Sequence, residues 1–234
     1  MKQVMIVDNR HAELARCYWG EHYEIIPSVT CHELATPVSA HPDMVLFKKG
    51  KKEFICAPNV FSEYEKLLLP FGVKVICGKK RLKSNYPEDI AYNILKTDKF
   101  ALGKFSQTDE TILDYLKKEK IKMVNVSQGY SKCSVCSFAG GAVTADEGLY
   151  LKLKECGEDV LKISPGGIIL SGYDYGFIGG ASGENEKGEL FFFGDLSLSC
   201  FGNEVLKFLL EKGKKINQIK DQPLLDVGTI MFLD

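Results

Sequence analysis

One cysteine of this sequence occupies a position where a reactive thiol could act. Cys133 stands directly before a run of small, β-branched and aromatic residues at 134–138, and a glycine pair and a second short run at 142–144 follow. This pattern is typical of a β-hairpin, so the cysteine is predicted at the hairpin's start. Because a thiolate is the strongest protein nucleophile near neutral pH, a cysteine there could attack an electrophilic carbon. A small buried thiol in the core is the alternative interpretation.

A second cysteine, Cys136, follows at the spacing found in zinc sites and in thiol–disulfide enzymes. A structural zinc site needs a second pair of ligands at similar spacing, and the sequence contains none. A redox pair favours a helix N-terminus, whereas this pair enters a predicted strand. We therefore predict Cys136 in the core of the strand and neither a metal nor a cofactor, with zinc and redox sites kept as alternatives.

The composition is that of an ordinary globular chain. Its 234 residues are 45% hydrophobic and 26% charged, with a formal net charge of −1. Since basic residues are scattered, nothing predicts a nucleic-acid partner. The apolar run at 4–7 is too short for a signal peptide or a membrane span. Most of the eight cysteines stand singly in apolar runs, which favours reduced thiols. We expect a cytoplasmic protein with no nucleic-acid or membrane partner.

The elements that would position Cys133 recur along the chain at intervals of roughly 40–50 residues. Each unit has a predicted strand, a helix with apolar residues at helical spacing and a second strand, and the first strands begin at residues 4, 54, 100, 142 and 190. A hairpin follows each unit and is predicted to start beside a polar residue. These starts are His41-Pro42-Asp43, Glu88-Asp89, Cys133, Tyr173-Asp174 and Asp226.

Most of these polar residues also have simple structural interpretations. Asp174 and Asp226 could be turn residues, and Glu88 and Asp89 could form a solvated turn. His41 could be a structural histidine. Three further aspartates stand where strands lead into helices and are predicted to be N-caps: Asp8, Asp146 and Asp195.

The two ends of the chain predict how the units are arranged. The last hairpin lacks its second strand, and the chain opens with an unpaired strand at 4–7. Antiparallel pairing of 229–233 with 4–7 would close the units into a ring and remove exposed sheet edges. We therefore predict an α/β fold, a five-bladed αβ propeller in which residues 1–234 form a single domain. The alternative is an open sheet of βαβ units, in which hairpins would be unexpected.

A five-fold αβ propeller with blades of this size resembles the pentein superfamily, which comprises guanidino-group-modifying enzymes such as arginine deiminases and amidinotransferases and some non-catalytic members. His41-Pro42-Asp43 is similar to the family's His-x-Asp motif and Cys133 to its nucleophilic cysteine. Asp174 and Asp226 lie on the next two blades, where the family has substrate-holding carboxylates. The cyclic order is kept, although this chain opens at a different blade. Ser171-Gly172-Tyr173-Asp174 lacks the glutamate of the family's Glu-Gly-Gly-Asp motif, and Cys133 has unusual neighbours, which leaves the substrate open.

The resemblance implies hydrolase-type modification of a guanidino or amidine group of a small molecule. Cys133 would form a covalent thiouronium intermediate, and His41 would protonate the leaving amine and then activate water. Asp174 and Asp226 would hold the cation, and Asp43 would orient the imidazole or bind the substrate. The alternative is a non-catalytic pentein that acts as a protein- or ribosome-associated binding module. The sequence leaves open the substrate, the leaving group, a hydrolase or transferase outcome and the oligomeric state.

Overall fold

The structure is a computed structural model that describes residues 2–233; residues 1 and 234 of the predicted domain lie outside this range. Within it, the strands form five three-stranded sheets. In each sheet the central strand pairs antiparallel with one neighbour and parallel with the other. Five separate sheets exclude the alternative of one open α/β sheet.

The same strand–helix–strand unit recurs in every sheet, with the helix between the central strand and its parallel neighbour. The strands are β1 (Gln3–Val7), β2 (Tyr23–Pro27), β3 (Leu46–Gly50), β4 (Glu53–Cys56), β5 (Lys74–Cys77), β6 (Leu95–Lys96), β7 (Phe100–Gly103), β8 (Lys122–Asn125), β9 (Val135–Phe138), β10 (Gly141–Thr144), β11 (Val160–Lys162), β12 (Ser182–Glu184), β13 (Leu190–Phe192), β14 (Ile216–Gln218) and β15 (Met231–Leu233). The helices are α1 (Ala12–Trp19), α2 (Pro42–Val45), α3 (Phe61–Leu68), α4 (Glu110–Lys118), α5 (Glu147–Glu155) and α6 (Gly202–Glu211). None of these helices has the length and apolar character that crossing a membrane would require.

The two ends of the described chain meet in one sheet, as predicted. Strand β1 pairs antiparallel with β15, with Met5 opposite Phe232, and pairs parallel with β2. Aromatic rings join this sheet and its helix to the β12-β13-β14 sheet: the ring centroids of Phe191 and Phe232 are 4.9 Å apart, and those of Phe191 and Trp19, the last residue of α1, are 5.4 Å apart. The first sheet is therefore built from both ends of the chain.

Aspartates begin the helical segments at the strand-to-helix junctions, which confirms the predicted N-caps. Asp146 Oδ1 accepts a hydrogen bond from Leu149 N at the start of α5. Asp8 and Asp195 accept bonds from Arg10 N and Ser197 N in the same way. Asp109 does so for α4, bonding Thr111 N. These bonds satisfy backbone donors that have no partner within the helix.

The hairpin strands begin later than predicted, and this changes which residues are equivalent. Residues 42–45 form the helical turn α2, because Pro42 has the backbone angle that suits a first helical position, and the strand begins only at Leu46. The fourth hairpin strand begins at Ser182 rather than beside Tyr173-Asp174, after an irregular loop. The second hairpin strand begins at Leu95, well past Glu88-Asp89.

Candidate active site

One residue just before each hairpin strand belongs to a group of mutually contacting residues. These residues stand two or three positions before β3, β6, β9, β12 and β15, so they are equivalent in the five sheets. We call them the hub: Asp43, Asn93, Cys133, Gly180 and Thr229. Hydrogen bonds between side chains join Asp43, Asn93, Cys133 and Thr229. Gly180 takes part through its backbone, whose N–H donates to Cys133 O (2.8 Å) and whose carbonyl accepts from Thr229 N (2.9 Å).

The thiol of Cys133 is held by two hub side chains. Its Sγ lies 2.9 Å from Asp43 Oδ2, to which it donates, and Asn93 Nδ2 donates to Sγ at 2.9 Å. Asn93 Oδ1 also accepts from the backbone N–H of Cys133 at 3.2 Å. Thr229 Oγ1 lies 2.8 Å from the same Asp43 oxygen. Cys133 is only 3% exposed, so this network orients a buried thiol.

His41 lies between two carboxylates rather than against Asp43. Its Nδ1 is 3.7 Å from Asp226 Oδ1, and its Nε2 is 3.8 Å from Asp8 Oδ2. Asp226 is fixed by the backbone N–H groups of Phe177 (2.8 Å) and Gly228 (3.0 Å). Within residues 2–233, Nε2 has no hydrogen-bond partner. The imidazole therefore faces two carboxylates with one of its ring nitrogens unbonded.

Glycines allow the chain to approach these side chains closely. A Cβ on Gly180 would lie 1.9 Å from Asp226 Oδ1. Gly228 has φ +65, and a Cβ there would lie 2.2 Å from His41 Cβ. Both contacts are far shorter than carbon atoms tolerate, so only glycine fits either position.

Burial dominates the protonation of the site. It raises the pKa of Cys133 well above the ordinary value, and the negative charges of Asp43 and Asp226 raise it further. Burial lowers the pKa of His41, although Asp226 and Asp8 favour its charged form. The pKa values of Asp43 and Asp226 are raised, again chiefly by burial. The protein alone thus keeps a neutral thiol and a neutral imidazole.

A cavity of about 170 Å³ opens onto these groups. Cys133, His41 and Asp226 line it together with several aromatic residues, and none of its lining residues is lysine or arginine. The arginine beside the site, Arg10, is already bound to Asp8 and to the carbonyl oxygen of Pro37. Drug-sized ligands usually need pockets of about 300–1,000 Å³. This cavity, which we call the thiol cavity, suits a compact group of neutral or positive charge.

The structure brings most of the predicted site residues together but not all of them. Cys133, His41 and Asp226 share the thiol cavity, and Asp43 contacts the thiol directly. Asp43 forms no hydrogen bond with His41 that would orient the imidazole: its Oδ2 bonds Cys133 and Thr229, and its Oδ1 has no hydrogen-bond partner among the residues that the structure describes. Asp174 is exposed and does not line the cavity, although both of its chain neighbours do.

Two residues of the hydrogen-bond network around the thiol were not predicted from the sequence: Asn93, which bonds the thiol, and Thr229, which bonds Asp43. Asn93 does not stand out in the sequence, because Glu88-Asp89 predicts an earlier start of the second hairpin and strand β6 has only two residues. Thr229 belongs to the predicted strand at 229–233, which in the structure begins only at Met231. If the five units are aligned on their hairpins, Asn93 and Thr229 fall at the position equivalent to Cys133. Asp8, predicted only as a cap, also faces His41.

The pair Cys133 and Cys136 forms neither a disulfide nor a metal centre in this structure. Both are free thiols, and Cys136 is buried in β9. Across residues 2–233, no group of three or more His, Cys, Asp and Glu side chains is placed to hold a metal ion. Burial raises the pKa of Cys136 to about 11, as expected for a core thiol.

Comparison with known proteins identifies a family and a shared fold. Residues 6–231 match a family of unknown function, DUF6873. No curated protein sequence matches the chain. Among solved structures, the chain is similar to SxtG, an amidinotransferase from Microseira wollei in the saxitoxin biosynthetic pathway. The similarity covers 97% of this chain and 94% of that chain, with 12% identity and a TM-score of 0.54. At this identity the likeness shows the fold alone, and it agrees with the expected pentein-like architecture.

Proposed function

We propose that this chain, which belongs to the family of unknown function DUF6873, modifies a guanidino or amidine group of a small molecule through a covalent bond to Cys133. The observation that carries the proposal is that a thiol, an imidazole and a carboxylate, from Cys133, His41 and Asp226, line one small cavity. The amidinotransferase activity of the structural relative is in keeping with this chemistry.

The architecture assumed in this proposal is a closed five-bladed propeller formed by residues 1–234 as one domain. Pairing of β1 with β15 supports closure, because it completes the first sheet from both ends of the chain. The hub supports it too, since equivalent residues of all five sheets contact one another there. In such a propeller the hub would lie on the central axis and the thiol cavity at one end of it.

The charges around the thiol favour a cationic ligand. Asp226 lines the cavity, Asp43 contacts the thiol, and no lysine or arginine lines the cavity to balance them. A planar guanidinium or amidinium suits carboxylate acceptors. Its positive charge would offset the two carboxylates that raise the pKa of Cys133. The thiol would then ionise mainly when a substrate is bound.

The reaction proceeds in two halves. In the first, Sγ of Cys133 bonds to the guanidino carbon while the thiol proton passes through His41 to the departing nitrogen, and the carbon–nitrogen bond breaks. In the second, water gives a proton to His41 and attacks the thiouronium carbon. The carbon–sulfur bond then breaks, His41 returns its proton to the departing sulfur, and the urea or amide product leaves while the second proton of the water passes to solvent. With water as the acceptor the protein is a hydrolase. Asp174, outside the cavity lining, has no part in this scheme.

A labelling experiment tests the proposal directly. Chloroacetamidine carries the amidinium cation and an alkylating carbon, and chloroacetamide is its neutral analogue. We expect chloroacetamidine to label Cys133 much faster, with alkylguanidines protecting the thiol, as read by mass spectrometry. A Cys136→Ser protein serves as the matched control and should be labelled normally. Release of ammonia or an amine from a panel of guanidino compounds measures turnover. Equal labelling by both reagents, with no turnover, would overturn the proposal.

A binding role without turnover is the second candidate. The observation that favours it is the burial of Cys133, with the raised pKa of a structural thiol. In that case guanidino compounds, or a protein partner, would bind with no covalent intermediate. Ligand protection of a slowly reacting thiol without product release would support this second function over the first.

A further inference from the structure

A second cavity adjoins the thiol cavity. Its volume is about 320 Å³, and it shares the side chains of Tyr175 and Phe177 with the thiol cavity. Its polar lining comes from Gln128, Ser134, Asp146, Glu147 and Ser164. Ser134 directly follows Cys133 in the sequence. Tyr175 and Phe177 therefore line both cavities, so the larger, polar chamber lies next to the cavity of the candidate nucleophile.

The hydroxyl of Ser134 is buried and has no partner. The residue is 3% exposed, and within the described part of the chain Oγ forms no hydrogen bond. Its backbone is fully used: N–H donates to Tyr130 O at 2.9 Å, and the carbonyl accepts from Thr144 Oγ1 at 2.9 Å. A buried hydroxyl left unbonded is costly to stability, whereas a ligand atom in the cavity could bond to it.

The charge of the chamber selects one class of ligand group. The Asp146 carboxylate is oriented by Gln128 Nε2 at 3.1 Å and by the N–H of Leu149 at 2.8 Å. Glu147 lies beside it and pairs with Lys162. No lysine, arginine or histidine lines the cavity. A carboxylate or phosphate would face the Asp146 carboxylate with no cationic side chain in the lining to balance it, whereas an ammonium could bond Ser134 Oγ and face Asp146.

We infer that this chamber, the tail cavity, binds the distal ammonium group of a ligand whose guanidino or amidine group lies against Cys133. This inference rests on the proposed function and narrows its substrate class to guanidinoalkylamines. Arginine, whose α-carboxylate would meet Asp146 and Glu147, is excluded from that class.

Binding measurements test the tail cavity apart from catalysis. A Cys133→Ser protein, which cannot form the covalent intermediate, is titrated calorimetrically with guanidinoalkylamines of increasing length, each paired with the alkylguanidine of equal length. We expect the amine to bind about tenfold more tightly at the length that spans both cavities, the effect of one charged hydrogen bond. Arginine should bind more weakly than either compound.

Substitutions locate the effect. Ser134→Ala and Asp146→Asn should each remove the advantage of the amine and leave the affinity of the alkylguanidine unchanged. Asparagine keeps the N-cap of α5, so this variant folds even if the alanine variant does not. Asp195→Asn is the matched control, because Asp195 is also a cap bonded to a glutamine side chain, Gln218.

The outcomes separate the two proposals. Equal affinities of the amine and the alkylguanidine in every pair would refute ammonium binding in the tail cavity, and so would an advantage of the amine that persists in both variants. Either result would leave the proposed function unaffected. Tighter binding of arginine would overturn the substrate class. If no guanidino compound binds at all, both proposals fail together.

Discussion

The thiol of Cys133 and the carboxylate of Asp43 lie 2.9 Å apart, measured from Sγ to Oδ2, although 90 residues separate them in the chain. Both groups are buried, so their charges are poorly screened. The negative charge of Asp43 and its bond to the thiol raise the pKa of Cys133, adding to burial. The bond from the thiol in turn favours the ionised form of Asp43. A cation in the thiol cavity would shift this balance toward the thiolate.

Replacing Cys133 by serine should abolish labelling and turnover with little effect on stability. A hydroxyl keeps a donor for Asp43 and an acceptor for Asn93, so neither buried side chain is left unpaired. We expect the free energy of unfolding in urea to change by less than about 1 kcal/mol. Retained turnover in this variant would contradict the nucleophilic role of Cys133.

Replacing Asp43 by asparagine should make the thiol more reactive but the protein less selective. In the wild type, the negative charge of Asp43 and its bond to the thiol both raise the pKa of Cys133. The substitution removes the charge and the carboxylate acceptor, so it should lower that pKa. Alkylation by neutral chloroacetamide near pH 7 should therefore become faster, while the preference for chloroacetamidine decreases. Asp89→Asn is the control, since Asp89 is another buried carboxylate but bonds Tyr130. Slower alkylation by both reagents would rule out this electrostatic role.

His41 should make the free energy of unfolding depend on pH at pH values below the ordinary pKa of a histidine. Burial holds the pKa of His41 below 6.5 in the folded protein, so the unfolded chain binds this proton more readily. The contribution of His41 to stability is complete above about pH 6.5 and is lost as the pH falls, by at most about 1.4 kcal/mol per pH unit. His41→Gln should therefore lose less stability than the wild type between about pH 6.5 and about pH 5.

Urea unfolding at several pH values measures this difference. The raised pKa values of Asp43 and Asp226 act in the opposite sense in both proteins. Because His41 lowers the pKa of Asp226, its replacement raises that pKa further, which also reduces the loss of stability at low pH. His32→Gln, at an exposed position, is the control and should follow the wild type. Parallel curves for His41→Gln and wild type would show that His41 is not held neutral by burial.

Replacing Gly180 by alanine should disrupt the site. The new Cβ would lie 1.9 Å from Asp226 Oδ1, the oxygen that faces His41 Nδ1, so the carboxylate must shift from this position. Overpacking of this kind costs about 1–3 kcal/mol, and labelling by chloroacetamidine should weaken. Gly50→Ala is the matched control, because a Cβ at Gly50 has no neighbour within 4 Å. Unchanged stability and labelling for Gly180→Ala would show that the backbone adapts without displacing Asp226.

Sequence pattern alone determined the architecture in outline. The recurring strand–helix–strand units and the capping aspartates follow from the local spacing of apolar and polar residues along the chain. The unpaired strands at the two ends predicted the pairing of β1 with β15. The repeat, and the resemblance based on it, also predicted that Cys133, His41 and Asp226 belong to one site.

Only the tertiary structure decided which side chains meet. The number of residues between the polar residue and the hairpin strand that follows it differs from one unit to the next. Counting forward from the polar residues therefore does not identify the residues that occupy equivalent positions in the five sheets. The loop before Ser182 left Asp174 exposed and put Gly180 in the hub, and the two-residue strand β6 concealed Asn93. Contacts such as those of Asn93 and Thr229 with the Cys133–Asp43 pair join distant segments, and they depend on how all five sheets pack rather than on any local pattern.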